Sequence, residues 1–171
     1  MNRIHLALIF LLCVTFSSCE KDDICVEGDT PLLIVRFYDA ENPTEFKAVP
    51  LLRVAGIGNS FTVSTISDRT STLDSIAIPL KENETLTEFA FITNSEDDEN
   101  GAEIGDIDIL SFSYELKEEF ISRACGFIVN YENLNSDFTT TTDNWIQSIE
   151  VVKDTVQLET EDTTAHVKIF H

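Results

Sequence analysis

Apolar residues in this chain recur at every second position, and no segment sustains an apolar period of 3.6. A period of two places alternate side chains on one face of an extended strand, so it favours sheet over helix. Leu33, Val35 and Phe37 alternate in LLIVRFY, and Ile76, Ile78 and Leu80 in DSIAIPL. Phe89 and Phe91 do so in TEFAFIT, Leu110, Phe112 and Tyr114 in DILSFSYEL, and Phe127, Val129 and Tyr131 in CGFIVNYENL. FKAVPLLRV (46–54), FTVSTI (61–66), WIQSIEVV (145–152) and AHVKIF (165–170) read as further strands. About eight or nine short strands in one unit predict an all-β fold, an Ig-like or transthyretin-like β-sandwich. Asn42-Pro43, Gly56-Ile57-Gly58-Asn59, Lys81-Glu82-Asn83-Glu84 and Asn133-Leu134-Asn135-Ser136 carry turn chemistry. Pro50 and Pro79 lack the amide a central strand must donate, so their runs belong at sheet edges or end there.

The first 18 residues read as an address. Arg3 precedes an apolar run, Leu6 to Phe16, that is shorter than the roughly 20 residues a spanning helix needs. The small residues Ser17 and Ser18 follow, then Cys19. This is the layout of a cleaved secretory signal. A cysteine directly after the cleavage site resembles the bacterial lipobox, although Phe16 replaces the usual aliphatic residue. Cys19 is thus the expected site of lipid attachment by acyl chains such as palmitate; the other reading is a plain secretory signal. Lys21, Asp22 and Asp23 after it resemble the Bacteroidota signal that exports lipoproteins to the cell surface. The same residues would also suit a solvated acidic tether. The expected organisation is a signal peptide over 1–18, a tether over 19–29 and one domain over 30–171.

Cys13 would leave with the signal and Cys19 would carry lipid. Cys25 and Cys125 remain, an even pair in an oxidising compartment, and are expected to form a disulfide. The chain-entropy model assigns about 4–5 kcal/mol to closing a loop of about 100 residues. Zinc ligation is not expected, because His166 and His171 stand far from both cysteines.

At 171 residues the chain has the length of one domain, and its net charge is −20. That charge disfavours nucleic-acid backbones and anionic lipid as partners. Carboxylates are densest over Glu96–Glu99, with Glu103, Asp106 and Asp108 beyond. Clustered carboxylates suit Ca²⁺, which makes Asp97, Asp98 and Glu99 the candidate ligands. The EF-hand template fails when its glycine is set at Gly101, because Ile107 then occupies the position of the bidentate Glu. A solvated hairpin loop is the plainer expectation, and no cofactor is expected.

No G-x-S-x-G is present. His166 alternates with Ala165 and Val167 and is expected to be exposed; His171, last in the sequence, is expected to fray. No catalytic residue is assigned and an enzyme is not expected. Trp145, beside Thr139–Thr142, could offer a ring face to a sugar. Its spacing to Ile149 and Val151 instead predicts a core position. Ser75, Thr155 and Thr163 each follow Asp and precede a small or aliphatic residue, which resembles the Bacteroidota O-glycosylation motif. The plain alternative is ordinary hydroxyls beside turn aspartates.

Three segments together, CEKDDICVEGD (19–29), SRACGFIVNY (122–131) and TAHVKIF (164–170), resemble an uncharacterised family of Bacteroidota lipoproteins, a domain of unknown function. The resemblance implies a lipid-anchored small β domain and brings no activity, substrate or catalytic residue. The expected role is that of an outer-membrane lipoprotein, more on the cell surface than on the periplasmic face, with a non-enzymatic binding or structural function. Its partners would be the membrane, the lipoprotein processing and export machinery, and a protein or glycan. The alternative is a surface module that binds glycan or depends on Ca²⁺.

Overall fold

The computed structural model describes residues 30–58, 62–139, 142–158 and 164–171. Eight named strands run through them: β1 (Leu32–Tyr38), β2 (Arg53–Gly56), β3 (Ser75–Pro79), β4 (Leu86–Thr93), β5 (Asp106–Ser122), β6 (Gly126–Phe138), β7 (Ser148–Val151) and β8 (Val167–Phe170). They form two four-stranded sheets, β3-β1-β8-β7 and β2-β4-β5-β6. All neighbours are antiparallel except β1 and β8, which run parallel with Val35 opposite Val167. The protein is an all-β sandwich.

The alternation read from the sequence sets the inner faces. Leu33, Val35 and Phe37 of β1 and Ile76 and Ile78 of β3 are buried against Phe89, Phe91, Leu110 and Phe112 of the opposite sheet. Phe37 meets Phe91 edge-on at 6.5 Å, and Phe89 meets Phe112 at 6.2 Å. Such ring contacts add about 1 kcal/mol each to the burial itself. Both prolines behave as their missing amides require. Pro79 closes β3 at one edge, and Pro50 precedes β2 at the edge of the other sheet.

One expected strand is absent among the described residues. In 61–66, Thr62 forms a single bridge to Ala55 and Val63 N–H donates to the Val54 carbonyl at 2.9 Å, after which the chain turns. The Thr65 hydroxyl donates to the Ala77 carbonyl. Ser and Thr side chains compete in this way with ladder pairing. In 46–54 only Arg53–Gly56 pairs as a strand.

Both histidine expectations are also corrected. His166 is buried, not exposed. Its N–H donates to the Ile34 carbonyl and its Nδ1 accepts the Ile34 N–H, both at 2.9 Å. The side chain thereby does the work of a backbone acceptor just before β8 begins. His171 is half-buried, not frayed. Its N–H donates to the Tyr38 carbonyl at 3.0 Å, and its ring stands edge-on to Phe37 and Trp145.

β5 and β6 are far longer than the rest, at 17 and 13 residues. The register between them shifts after Ser113–Asn135, so that Glu115 opposes Glu132. Asn133 takes a left-handed φ of 56° at this step, the geometry of a bulge residue. Toward the hairpin turn the rings of Phe120 and Phe127 are largely exposed.

Candidate functional site

The acidic loop is tied down by two arginines from other segments. Arg53, at the start of β2, holds Asp68 through Nε at 2.9 Å and Nη2 at 2.7 Å. Its Nη1 reaches Glu103 at 2.9 Å. Arg69 donates through Nη2 to Asp97 and through Nε to the Ser95 hydroxyl at 3.1 Å. Ser95, fully buried, in turn donates to Glu103 at 2.7 Å. The second Glu103 oxygen accepts the N–H groups of Glu96 and Gly105. Gly105 is required there, since a Cβ would fall 2.7 Å from the Thr93 carbonyl oxygen and from Ile92.

These contacts govern the titration of the loop. Burial pushes the Glu103 carboxyl up, but the Ser95 hydroxyl, the two amides and Arg53 outweigh it and hold it below the usual range. Hydrogen bonds from Arg53 and Arg69 hold Asp68 and Asp97 down. Asp98 is held down by the N–H groups of Ala102 and Asn100.

The three candidate Ca²⁺ ligands are therefore dispersed in role. Asp97 faces two guanidinium groups, Asp98 caps its own turn, and Glu99 is exposed. Among the described residues no group of three His, Cys, Asp or Glu side chains is placed to hold a metal ion. The expected solvated loop is corrected at two positions as well, because Glu103 is largely enclosed and Asp108 is buried.

Asp108 shares its face with Leu110 and Phe112 and points into the end of the sandwich. One oxygen accepts Asn144 Nδ2 at 2.6 Å and the other accepts the Ile146 N–H at 2.8 Å. It anchors the segment that carries Trp145 before β7. Trp145 packs against the core as its spacing predicts, with Nε1 donating to the Phe91 carbonyl at 3.2 Å. Its ring is not a free platform for a sugar. Phe46 is an exposed aromatic, and it lies against Tyr38 at 5.1 Å and under Arg36 at 4.9 Å.

A shallow groove of about 350 Å³ opens on the outer face of the β4-β5-β6 region. Ile107 and Ile109 line it together with Glu88, Asp137 and Asp143. Among the described residues no helix is long and apolar enough to cross a membrane.

Residues 51–171 match the family model described as a family of unknown function, DUF6452. The chain belongs to DUF6452. The matched span includes seven of the eight strands and the whole Arg53–Glu103 cluster, so the DUF6452 unit is the sandwich less its first strand. No curated protein and no solved structure matches the chain.

Several positions singled out in the sequence lie outside the described residues: the signal over 1–18, Cys19, Lys21, Asp22, Asp23, Cys25 and Thr163. Cys125 lies in the turn between β5 and β6, where its N–H donates to the Ser122 hydroxyl at 3.0 Å. Cys125 is not a free thiol. Ser75 opens β3 on the face away from Ile76 and Ile78 and is half-buried, as is Thr155.

The Arg53 and Arg69 network was not anticipated, though one signal was legible. Two arginines among so many acids are natural partners for the densest carboxylate loop. Asp108 was legible too, because the alternation that turns Leu110 and Phe112 inward also turns Asp108 inward.

Proposed function

We propose that this DUF6452 protein is a lipid-anchored lipoprotein of the bacterial outer membrane, surface-exposed, that acts by binding or as a structural element without catalysis. The observation that carries the reading is Cys19 directly after Ser17-Ser18 and an apolar run of signal length. Lys21-Asp22-Asp23 supports export to the surface. The loop carboxylates support a structural role, since their partners are Arg53, Arg69 and backbone amides of the loop.

In the same reading Cys25 pairs with Cys125. Cys125 sits at the hairpin turn and is not a free thiol, which supports that bond. Ser75, Thr155 and Thr163 are the proposed O-glycosylation sites.

Replacing Cys19 by Ala and fractionating the host's cells tests the anchor. The parent is expected in the outer-membrane fraction and the variant outside it; equal partitioning overturns the reading. Protease treatment of intact cells tests exposure, with the parent expected to be cut and a periplasmic control protected. Intact mass of the native protein tests glycosylation, and a mass equal to the lipidated polypeptide removes it.

A second reading, a glycan-binding module, is favoured by one observation, the exposed Phe46 ring beside Tyr38 and Arg36. Phe46→Ala should then abolish retention on the host's surface polysaccharide, and an unchanged retention excludes it.

A further inference from the structure

The inner face of the β5–β6 hairpin does not end where the core ends. Leu116, Glu118 and Phe120 continue the face of Leu110, Phe112 and Tyr114, and they oppose Tyr131, Val129 and Phe127. Tyr131 is fully buried and Val129 packs against the core. Phe120 is 56% exposed and Phe127 67%, with their rings in edge contact at 5.3 Å.

The charge pattern changes along the same arm. Glu115, Glu118 and Glu119 stand on its shaft, whereas residues 120–131 contain no acid at all. Their one charge is Arg123, at the turn. An aromatic pair capped by a single cation, in a chain of net charge −20, is a local exception to an otherwise acidic protein.

We propose that this tip is a membrane-contact surface, with Phe120, Phe127 and Leu116 seated in the interfacial layer of the bilayer that anchors the chain. The proposal rests on the reading above, in which Cys19 carries lipid and Cys25 is bonded to Cys125. Five residues lie between Cys19 and Cys25, and the six Cα steps reach at most about 20 Å. The disulfide would therefore hold the hairpin turn within that distance of the acyl chains. Rings favour the interface, where their apolar bodies leave water, and Arg123 can extend to the headgroups. Glu118 lies two residues inboard of Phe120 on the same face, about 7 Å along the strand, and limits the insertion to a shallow one. The charge of the shaft selects zwitterionic over anionic lipid, and it opposes a second copy of this chain as the occupant.

The mature lipidated protein is reconstituted in phosphatidylcholine vesicles, with and without bromine on the acyl chains. Phe127→Trp adds a reporter at an exposed position, and Trp145, held in the sandwich by Phe91, is the internal reference. The reporter emission is expected to shift to the blue and to be lost on bromolipid, while Trp145 in the parent is unaffected. Parent that floats with vesicles while the reporter stays unquenched overturns this proposal alone. A blue shift that depends on protein density, without quenching, assigns the tip to a second copy and also overturns it. Parent that fails to float overturns the anchor and this proposal together.

Discussion

The Tyr131 hydroxyl donates to the Leu80 carbonyl at 3.2 Å, joining β6 to the chain just past β3 in the opposite sheet. Tyr114, 4.9 Å away on β5, makes the companion link. Its hydroxyl donates to the Lys81 carbonyl at 3.0 Å and accepts the Lys81 N–H at 3.1 Å, with Thr87 also in contact. Burial raises the titration of both phenols, so they remain neutral donors at any ordinary pH.

The two tyrosines should differ in worth. Tyr131→Phe removes one hydrogen bond and should cost about 1 kcal/mol. Tyr114→Phe strips the Lys81 carbonyl of its donor and the Thr87 hydroxyl of a partner, while the Lys81 amide keeps the Thr87 oxygen at 3.0 Å, and should cost about 2 kcal/mol. Urea denaturation of the two variants checks the order, and an equal loss would refute the double role of Tyr114.

Asp108→Ala should destabilise by about 2–3 kcal/mol, because it strips the Ile146 amide and Asn144 of their acceptor at a buried position. The loss should appear first near Trp145, as a red shift of its emission before global unfolding. Coincident transitions would show that the clamp is not local.

Arg53→Gln leaves Glu103, Asp68 and Asp97 without their shared cation and should cost about 1–3 kcal/mol, reduced by the partial exposure of the cluster. Since the arginines occupy the carboxylates, millimolar Ca²⁺ should leave the Tm of the parent unchanged. A clear rise in Tm with Ca²⁺, measured by calorimetry, would contradict the roles given to Asp97 and Asp98.

Acid should destabilise the fold in two steps. Burial lowers the His171 titration, so the folded state resists its protonation more than the unfolded state does. The associated stability is present above the unfolded value of about 6.5 and is lost as pH falls from there through the folded value. Asp68, Asp97, Asp98 and Glu103 are also lowered, and their contribution is lost below about pH 4. His171→Phe should remove the first step and keep the second, as followed by ΔG of unfolding against pH.

Cys125→Ser should lower the Tm of the mature protein clearly, in keeping with about 4–5 kcal/mol for closing so long a loop. Peptide mapping without reduction should recover Cys25 and Cys125 in one fragment. An unchanged Tm would leave the bond without a stabilising role.

The strands and their faces were legible in the sequence because alternation is a local property, set by the pleat of each strand. Leu33, Ile78, Phe91 and Phe112 all face inward as their spacing predicts. The prolines placed the edges for an equally local reason, the missing amide. The reading of Cys19 as a lipid site likewise rests on neighbouring residues alone. What alternation cannot supply is the opposite wall. Phe127 and Tyr131 share one face of one strand, yet Tyr131 is fully buried with its hydroxyl on the Leu80 carbonyl of the opposite wall, and Phe127 is largely exposed. His166 became a buried acceptor only when β8 lay parallel to β1 and brought it to the Ile34 amide. The acidic loop became a bonded network only when β2 brought Arg53 to it, 50 residues from Glu103. Burial and pairing of charges depend on which distant segments meet, and only the tertiary structure decides that.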